Sequence, residues 1–431
     1  MRIAFIGPFG LEPKGTMQVR ALPLARALAG RGSQVALFLP PFHGPPSVPP
    51  ACGGEALHTG SRPMDAPSGP SADGGEALRT GSRPMDAPPV PSAGGGEALE
   101  SVIVENVPVS KLPLLGYVIT SWRLAQRALA WRPDVIHCFK PKAYSGLAHW
   151  LLWQRRKLTR QRFRLVLDSD DWEGWGGWNE LEPYPLWQKH FFAWQERWGL
   201  THADAVTVAS RALQTIVWSL GVSPVQVFYV PNGKWQMASG ERRGVRGEGP
   251  TILLYTRFFE FDVRRVVALL GRVRERAPKA RLLVVGKGLF GEEEQLLAEA
   301  AAAGLEQAIE YVGWVQAEQL PNYFAAAHCA IYPFDDTLVN RTKCAVKLLD
   351  LLAAGVAVVA EAVGQNQEYI QHGRSGLLIP PGDDDAFVDA IVQVLQEPEL
   401  RAALAAGAQR RIATHFQWNQ LAEQVEQIYQ A

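Results

Sequence analysis

Lys343, Lys347 and Asp350 interrupt an otherwise apolar stretch, NRTKCAVKLLDLLAAGVAVVA, running from Asn340 to Ala360. Their spacing places all three in one stripe on one face of an α-helix. Two cations in the first turns of a helix oppose its dipole. They become favourable when an anion sits above the N-terminus, held by free amides and ammonium groups together. A solvated face with a Lys347–Asp350 pair accounts for the same spacing. Thr342 is the expected N-cap, Gly355 the expected residue past the C-terminus, and VAVVA the buried strand that follows. A second cluster lies in LVLDSDDWEGWGGWNE, where Asp168, Asp170 and Asp171 follow a strand and Trp172, Trp175 and Trp178 interleave with glycines. Carboxylates at a strand's C-terminal end could accept hydrogen bonds, act as a general base or hold a divalent metal, with tryptophan rings stacking on sugar faces or walling the site. A third is HWLLWQRRKLTRQRFR at 149–164, which mixes tryptophans with six basic residues. It could touch an anionic membrane surface, and a solvated helix end with a basic loop explains it equally.

These residues need a scaffold. A chain of 431 residues is too long for one core, so two domains are expected. A hydrophobic fraction of 47%, a charged fraction of 20% and zero formal net charge describe a soluble globular protein and give no sign of nucleic-acid binding. Cys52, Cys138, Cys329 and Cys344 are scattered without a CxxC, which argues against a zinc site or disulfide framework and fits a reducing cytosol. The opening MRIAFIGPFG reads as a first strand and its loop rather than a signal peptide, and no apolar run is long enough for a transmembrane helix. A cytoplasmic protein is expected, with the inner membrane face as a peripheral site if 149–164 makes contact. Most of the tryptophans fall between Trp122 and Trp235, a concentration that carbohydrate surfaces, membrane interfaces and ordinary cores all favour.

Strand, glycine loop, helix and strand alternate from Arg2 onward, the opening of a doubly wound α/β domain. Gly10 and Gly15 in the first loop could admit a ligand to the backbone or simply make the turn, and the loop does not match GxGxxG. GGEALHTGSRPMDAP at 53–67 recurs as GGEALRTGSRPMDAP at 74–88, and a partial copy starts at Gly95. This repeat is too rich in Gly, Pro, Ser and Ala to bury a core, so 43–100 is expected to be a disordered insertion. The first domain then spans 1–233, with Pro231-Asn232-Gly233 as a turn, and a polar linker fills 234–250. The pattern restarts at TILLYTRFF, and strands alternate with helices through a second domain at 251–407. Two doubly wound domains facing a cleft are expected, with the ligand between them.

In order along the chain, VPNG at 230–233, LLYTRF ending near Arg257, VGKG at 285–288, YVGWV at 311–315, LPNYFAAAHCAIYP at 320–333 and GQNQEYIQHGRSGLLIPPGD resemble the retaining GT-B glycosyltransferases of family 4. The resemblance covers nearly everything outside 43–100. It implies two Rossmann-like domains, a nucleotide-sugar donor, no metal or other cofactor, and a C-terminal helix at 408–431 that packs back on the first domain. It also implies roles. Asp350 falls on the acid that bonds the donor ribose, and Arg257, Lys343 and Lys347 are the diphosphate candidates. Gly15, Gly286, Gly288, Trp314, Thr342 and Glu368 complete the donor set. Thr342 stands where the family has its first acid, and Asp262 where it has a second base, for which Arg264 or Arg265 could substitute. Asp170 and Asp171 would position the transferred sugar or the acceptor hydroxyl, since members of this fold lack a clear protein nucleophile and the donor phosphate takes the acceptor proton. The resemblance implies a retaining hexosyltransferase using a UDP- or GDP-sugar, with a cell-envelope lipid, glycan or small glycoside as acceptor. A nucleotide-sugar epimerase of the same fold and a catalytically silent ligand-binding member are the alternatives.

Overall fold

The computed structural model describes residues 1–11, 15–41, 102–112, 115–159, 162–235 and 249–431. The expected insertion at 43–100 lies outside the described residues, as does most of the expected linker at 234–250.

Seven strands form the first sheet: β1 (Arg2–Ile6), β2 (Gln34–Leu39), β3 (Val102–Asn106), β4 (Val135–Phe139), β5 (Arg164–Ser169), β6 (Ala205–Val208) and β7 (Val227–Tyr229). Six form the second: β8 (Thr251–Thr256), β9 (Arg281–Gly286), β10 (Ile309–Gly313), β11 (Cys329–Tyr332), β12 (Val358–Glu361) and β13 (Leu377–Ile379). The orders are β3-β2-β1-β4-β5-β6-β7 and β10-β9-β8-β11-β12-β13, with every pairing parallel. Central strands such as RIAFI and VIHCF are apolar on both faces because helices cover both, as a parallel sheet requires. Each order reverses once, between β1 and β4 and between β8 and β11. The loops after those strands open into the crevice where such sheets bind ligands.

The helix after β1 starts with an unusual turn. Met17–Ala21 is a π-helical turn, closed by the Leu22 amide on the Met17 carbonyl, before a regular helix at Leu22–Gly30. Pro23 has no amide proton to give to Val19, so the regular bond ladder cannot run through it. Arg20 lies in the widened turn and is fully buried.

The chain returns to the first domain at its end. Ala408, Ile412 and Phe416 belong to the second domain's core, whereas Trp418, Leu421, Val425 and Tyr429 pack with Leu24 and Leu28 of the first. The returning segment therefore starts at Trp418 rather than at 408. It begins where the Lys234 amide donates to the Phe416 carbonyl (2.7 Å) and the Trp418 amide to the Lys234 carbonyl (3.2 Å). Tyr429 closes the dock, its hydroxyl 2.6 Å from His137 Nδ1 on β4. Among the described residues no helix is long and apolar enough to cross a membrane.

Candidate active site

The acidic trio after β5 divides into three environments. Asp168 is committed to the interior, taking both nitrogens of an Arg20 fork (Nε at 2.7 Å, Nη2 at 2.6 Å) and the Thr207 hydroxyl at 2.6 Å. Asp170 accepts from the Thr16 hydroxyl at 2.6 Å on Oδ2, while its buried Oδ1 accepts no hydrogen bond from the described residues. Burial raises its pKa to about 6; Lys140 opposes the shift, and Asp171 and Asp168 add to it. Asp171 reaches outward, taking Lys140 Nζ at 3.2 Å on one oxygen and the Cys344 amide of the second domain at 3.3 Å on the other. Three separately engaged carboxylates do not converge on one point, and among the described residues no group of three or more potential ligands is placed to hold a metal.

Two half-buried lysines balance these acids. Lys140 adopts a left-handed backbone (φ +52°), rare for a non-glycine residue and held here by its amide on the Asp168 carbonyl at 2.8 Å. Its ammonium lies 2.9 Å from Glu173 and 3.8 Å from Asp170 Oδ1. Burial opposes its charge, but Asp170, Glu173 and Asp171 together raise its pKa well above the ordinary lysine value. Burial likewise raises Glu173, yet Lys140 and Lys142 outweigh it and hold this carboxyl at about 2. Sequence spacing did not single out Arg20, Lys140, Lys142 or Glu173 because the fold, not the spacing, brings them together. The one local sign was the pair of lysines, Lys140 and Lys142, in the FKPK turn at the end of β4.

The donor stretch folds differently from its expected form. Thr342 ends a short helix, Leu338–Thr342, and its hydroxyl donates back to the Leu338 carbonyl at 2.8 Å. It is not an N-cap. The next helix, Val346–Ala353, starts from Ala345 without a side-chain cap. Lys343 is extended between the two (φ −64°, ψ 154°), so the helical stripe contains only Lys347 and Asp350. The Lys343 ammonium points inward, pairing with Glu260 at 2.7 Å and lying 4.4 Å over the Phe259 ring and 5.0 Å over Phe334. The expected end of the helix is present. Gly355 is left-handed (φ +66°), and the Gly355 and Val356 amides return to the Leu352 and Leu351 carbonyls.

Lys347 lies 3.7 Å over the Tyr255 ring, and Asp350 pairs with Lys234, the residue that follows VPNG. Arg257 is exposed at the end of β8, about equally far from the rings of Trp178 (6.0 Å) and Phe259 (5.9 Å), which themselves meet edge to face across the domains at 4.8 Å. Gly286 pairs with Thr256 at the adjacent strand end, and a Cβ there would fall 1.9 Å from the Thr256 carbonyl oxygen. The Gly288 amide donates to Glu293 at 3.0 Å, so this loop is already satisfied by the acidic start of helix Glu292–Ala302. Trp314 follows the edge strand β10 and is exposed. Glu368 accepts the Arg211 amide at 2.8 Å across the seam, and burial raises its pKa. Gly15 supplies its carbonyl to the Gln18 and Val19 amides and directly precedes Thr16, the partner of Asp170.

The position of the family's second base is explained by local structure. Asp262 caps helix Val263–Arg276, accepting the Arg264 amide at 2.9 Å. Neither expected substitute is turned to the seam: Arg264 folds onto Asp262 (2.8 Å), and Arg265 is tied to Glu361 (2.7 Å) and Asp384 (2.6 Å).

The seam is closed by direct contacts. The Ser210 hydroxyl donates to the Thr342 carbonyl at 2.9 Å, Gln365 bridges the Ala209 carbonyl and the Ala345 amide, and Tyr369 donates to the Asn232 carbonyl at 3.2 Å. Asn232 also accepts from Arg20 at 3.1 Å, and its buried Nδ2 donates to none of the described residues. Asp170, Asp171, Asn232, Arg257, Thr342 and Lys343 thus line one seam, with Lys347, Asp350 and Glu368 beside it, whereas Gly288 and Trp314 stand farther along the second sheet. The basic stretch at 149–164 is only partly turned inward, with Lys157 and Arg162 exposed. Arg156 pairs with Asp204 and lies 4.7 Å over Trp153, and Lys157 lies 5.3 Å over the same ring. Arg160 lies outside the described residues.

Residues 15–233 match the family model described as Glycosyl transferase 4-like domain, and residues 249–397 match Glycosyl transferases group 1. Glycogen synthase of Mycobacterium tuberculosis is 24% identical over 314 residues, 70% of each chain. A GDP-mannose-dependent alpha-(1-6)-phosphatidylinositol monomannoside mannosyltransferase of the same organism is 27% identical over 185 residues, 41% of this chain and 46% of its own. Among solved structures, sucrose-phosphate synthase from Thermosynechococcus elongatus superposes with a TM-score of 0.65 at 19% identity, covering 100% of this chain and 98% of that one. The Anabaena protein HepE in complex with UDP-glucose gives 0.63 at 17% identity, covering 99% and 98%. At these identities the structural likeness speaks for the fold.

Proposed function

The chain belongs to the group 1, family 4-like glycosyltransferases, and we propose that it moves a sugar from a nucleoside diphosphate sugar to an acceptor hydroxyl with retention of configuration. The observation that carries this reading is the seam itself. A carboxylate oxygen (Asp170 Oδ1) and an amide nitrogen (Asn232 Nδ2), both buried and without hydrogen-bond partners among the described residues, lie on the first-domain side. Arg257 stands on the other side, between two rings that join the domains. A hydroxyl needs one acceptor and one donor, and these two atoms supply both. Asp170 orients the acceptor hydroxyl or a sugar hydroxyl, with Asp171 beside it holding the domains in register.

On the second-domain side, Asp350 bonds the ribose hydroxyls, and its ion pair with Lys234 holds the carboxylate in place. Arg257 and Lys347 meet the diphosphate, whose negative charge grows as the sugar–phosphate bond breaks. Lys343 supports them indirectly, by fixing Glu260 beneath Phe259. Thr342 is neutral and bonded to its own helix, so sugar recognition falls to Asp170 and Asn232 more than in relatives with an acid at that position. The donor phosphate takes the acceptor proton, and no metal is required for these steps.

A thermal-shift panel of UDP, GDP and their sugars tests donor binding, because a ligand that binds the folded state stabilises it. Incubation of the shifted donor with acceptors, with the anomeric configuration of the product read by NMR, tests the reaction. An inverted product, or donor conversion without an acceptor, overturns the reading.

A further inference from the structure

Five aromatic side chains lead away from the seam along the surface of the first domain. Trp175 lies in the loop that carries the acids, whose other face meets the second domain through Gly176 against Leu338. Its ring packs edge to face on His190 at 4.8 Å. From there Trp187, Phe191, Trp194 and Trp198 descend one face of helix Leu186–Thr201, at spacings of four, three and four residues. Phe191 and Trp194 stack at 5.9 Å, and Trp194 and Trp198 follow at 6.2 Å. Trp175, Trp187 and Trp194 are 46%, 51% and 43% exposed, a large apolar area to leave in water.

Two features suggest what covers this strip. Its rings follow one another along the helix, beside exposed Leu186 at the helix start, and are bordered by hydrogen-bonding side chains: exposed His190 follows Trp187 by three residues, and exposed Arg197 follows Trp194 by three. A row of flat apolar faces with a polar edge matches a chain of pyranose rings, each with a C–H face and a rim of hydroxyls. A membrane would call for a broad apolar face ringed by outward cations. Apart from Arg197, the cations nearest the strip's far end, Arg156 and Lys157, are instead turned onto Asp204 and Trp153.

We propose that the strip binds the glycan chain of an oligosaccharide acceptor built of neutral pyranose units, its reacting end at Asp170 and its body along Trp187 and Trp194. This rests on the glycosyl-transfer reading of the seam and adds the class of acceptor to it.

The test uses direct binding by the full chain. Maltose, cellobiose and mannobiose are titrated against maltoheptaose, cellohexaose and mannohexaose, followed by tryptophan fluorescence and calorimetry. At least one longer chain is expected to bind more tightly than its disaccharide. Trp187→Ala and Trp194→Ala, both at exposed positions, are each expected to weaken that binding about five-fold. Their thermal shifts with UDP or GDP should match the wild type. If neither substitution weakens binding, or if no oligosaccharide binds a protein that still binds nucleotide, the proposal is overturned. Binding to phosphatidylglycerol-containing vesicles that Trp187→Ala abolishes overturns it in favour of a membrane. Glycan binding that survives with no nucleotide shift leaves the strip standing and removes the donor reading instead.

Discussion

The two sides of the seam handle charge in opposite ways. On the first-domain side, Arg20, Lys140, Lys142, Asp168, Asp170 and Glu173 sit in or close to the interior and neutralise one another. On the second-domain side, apart from the buried Lys343–Glu260 pair, Arg257 is exposed, and Lys347 and Asp350 are half-buried against a ring and a linker lysine. The first arrangement costs desolvation and returns rigidity; the second leaves its charges accessible to a ligand that arrives with its own. Substitutions on the first side should therefore appear as lost stability, and those on the second as lost activity in a folded protein.

The largest effect is expected at Arg20. Its guanidinium and the Asp168 carboxylate are each about 1% exposed, and Asp168 overcomes the effect of burial to hold Arg20 charged. Arg20→Leu strands a buried carboxylate and should cost about 3–5 kcal/mol in a urea unfolding curve. Adding Asp168→Asn should recover part of that loss, because the stranded charge is gone. A double variant as unstable as the sum of the singles would mean that the two sites act independently.

Next come Arg257→Ala and Asp350→Ala. Loss of the cation that faces the leaving diphosphate should lower kcat about 100-fold, and loss of the ribose acid should raise the donor KM about ten-fold. Neither should move the unfolding midpoint beyond that of an ordinary surface change. A large stability loss in Arg257→Ala would place it with the buried cluster and erase the contrast.

This contrast also explains what could be read from the sequence. Both doubly wound sheets were legible because strands such as RIAFI and ARLLVVG are continuous apolar runs bounded by glycine turns. Asp350 and Gly355 were legible because both depend on local helix geometry. Arg20, Lys140 and Glu173 were not, since their partners are brought close only by tertiary structure; Arg20 and Asp168 are 148 residues apart. Thr342 and Lys343 were misplaced for a related reason. The helix periodicity continued through them on paper, but Thr342 closes the preceding helix, its carbonyl bonded to Ser210, and Lys343, paired with Glu260, is extended between the two helices.

A smaller effect is expected at Asp170, an acid on the first side without full compensation. Its carboxyl is raised from the ordinary 3.8 to about 6 by burial. The folded state therefore binds this proton more tightly than the unfolded chain does. That destabilisation is absent below about pH 4 and complete above about pH 6. His137 and His149, lowered to about 4 by burial, push the wild-type profile the other way over part of that range. The difference between Asp170→Asn and wild type isolates the acid: the variant should gain about 3 kcal/mol relative to wild type as pH rises through that window. Its kcat/KM should be low and lack the rise near pH 6 that the ionised acid gives the wild type. A parallel pair of pH–stability curves would show that Asp170 titrates as an ordinary exposed acid.

Lys234 gives the finest test because it belongs to both sides. Its backbone joins the terminal segment at Phe416 and Trp418, and its ammonium reaches Asp350 in the second domain. The pair is partly exposed, 28% at Lys234 and 10% at Asp350, so solvent screening leaves it worth at most about 1 kcal/mol. If the ammonium serves to hold Asp350 aimed at ribose, Lys234→Ala should raise the donor KM about three-fold with kcat unchanged. In the Asp350→Ala background it should have no further effect, because the group it serves is already missing. If the lysine is only a strut, the same substitution should lower the unfolding midpoint, leave KM unchanged and add fully to Asp350→Ala. The two outcomes separate on KM alone, so the assignment can be decided even though the expected change is small.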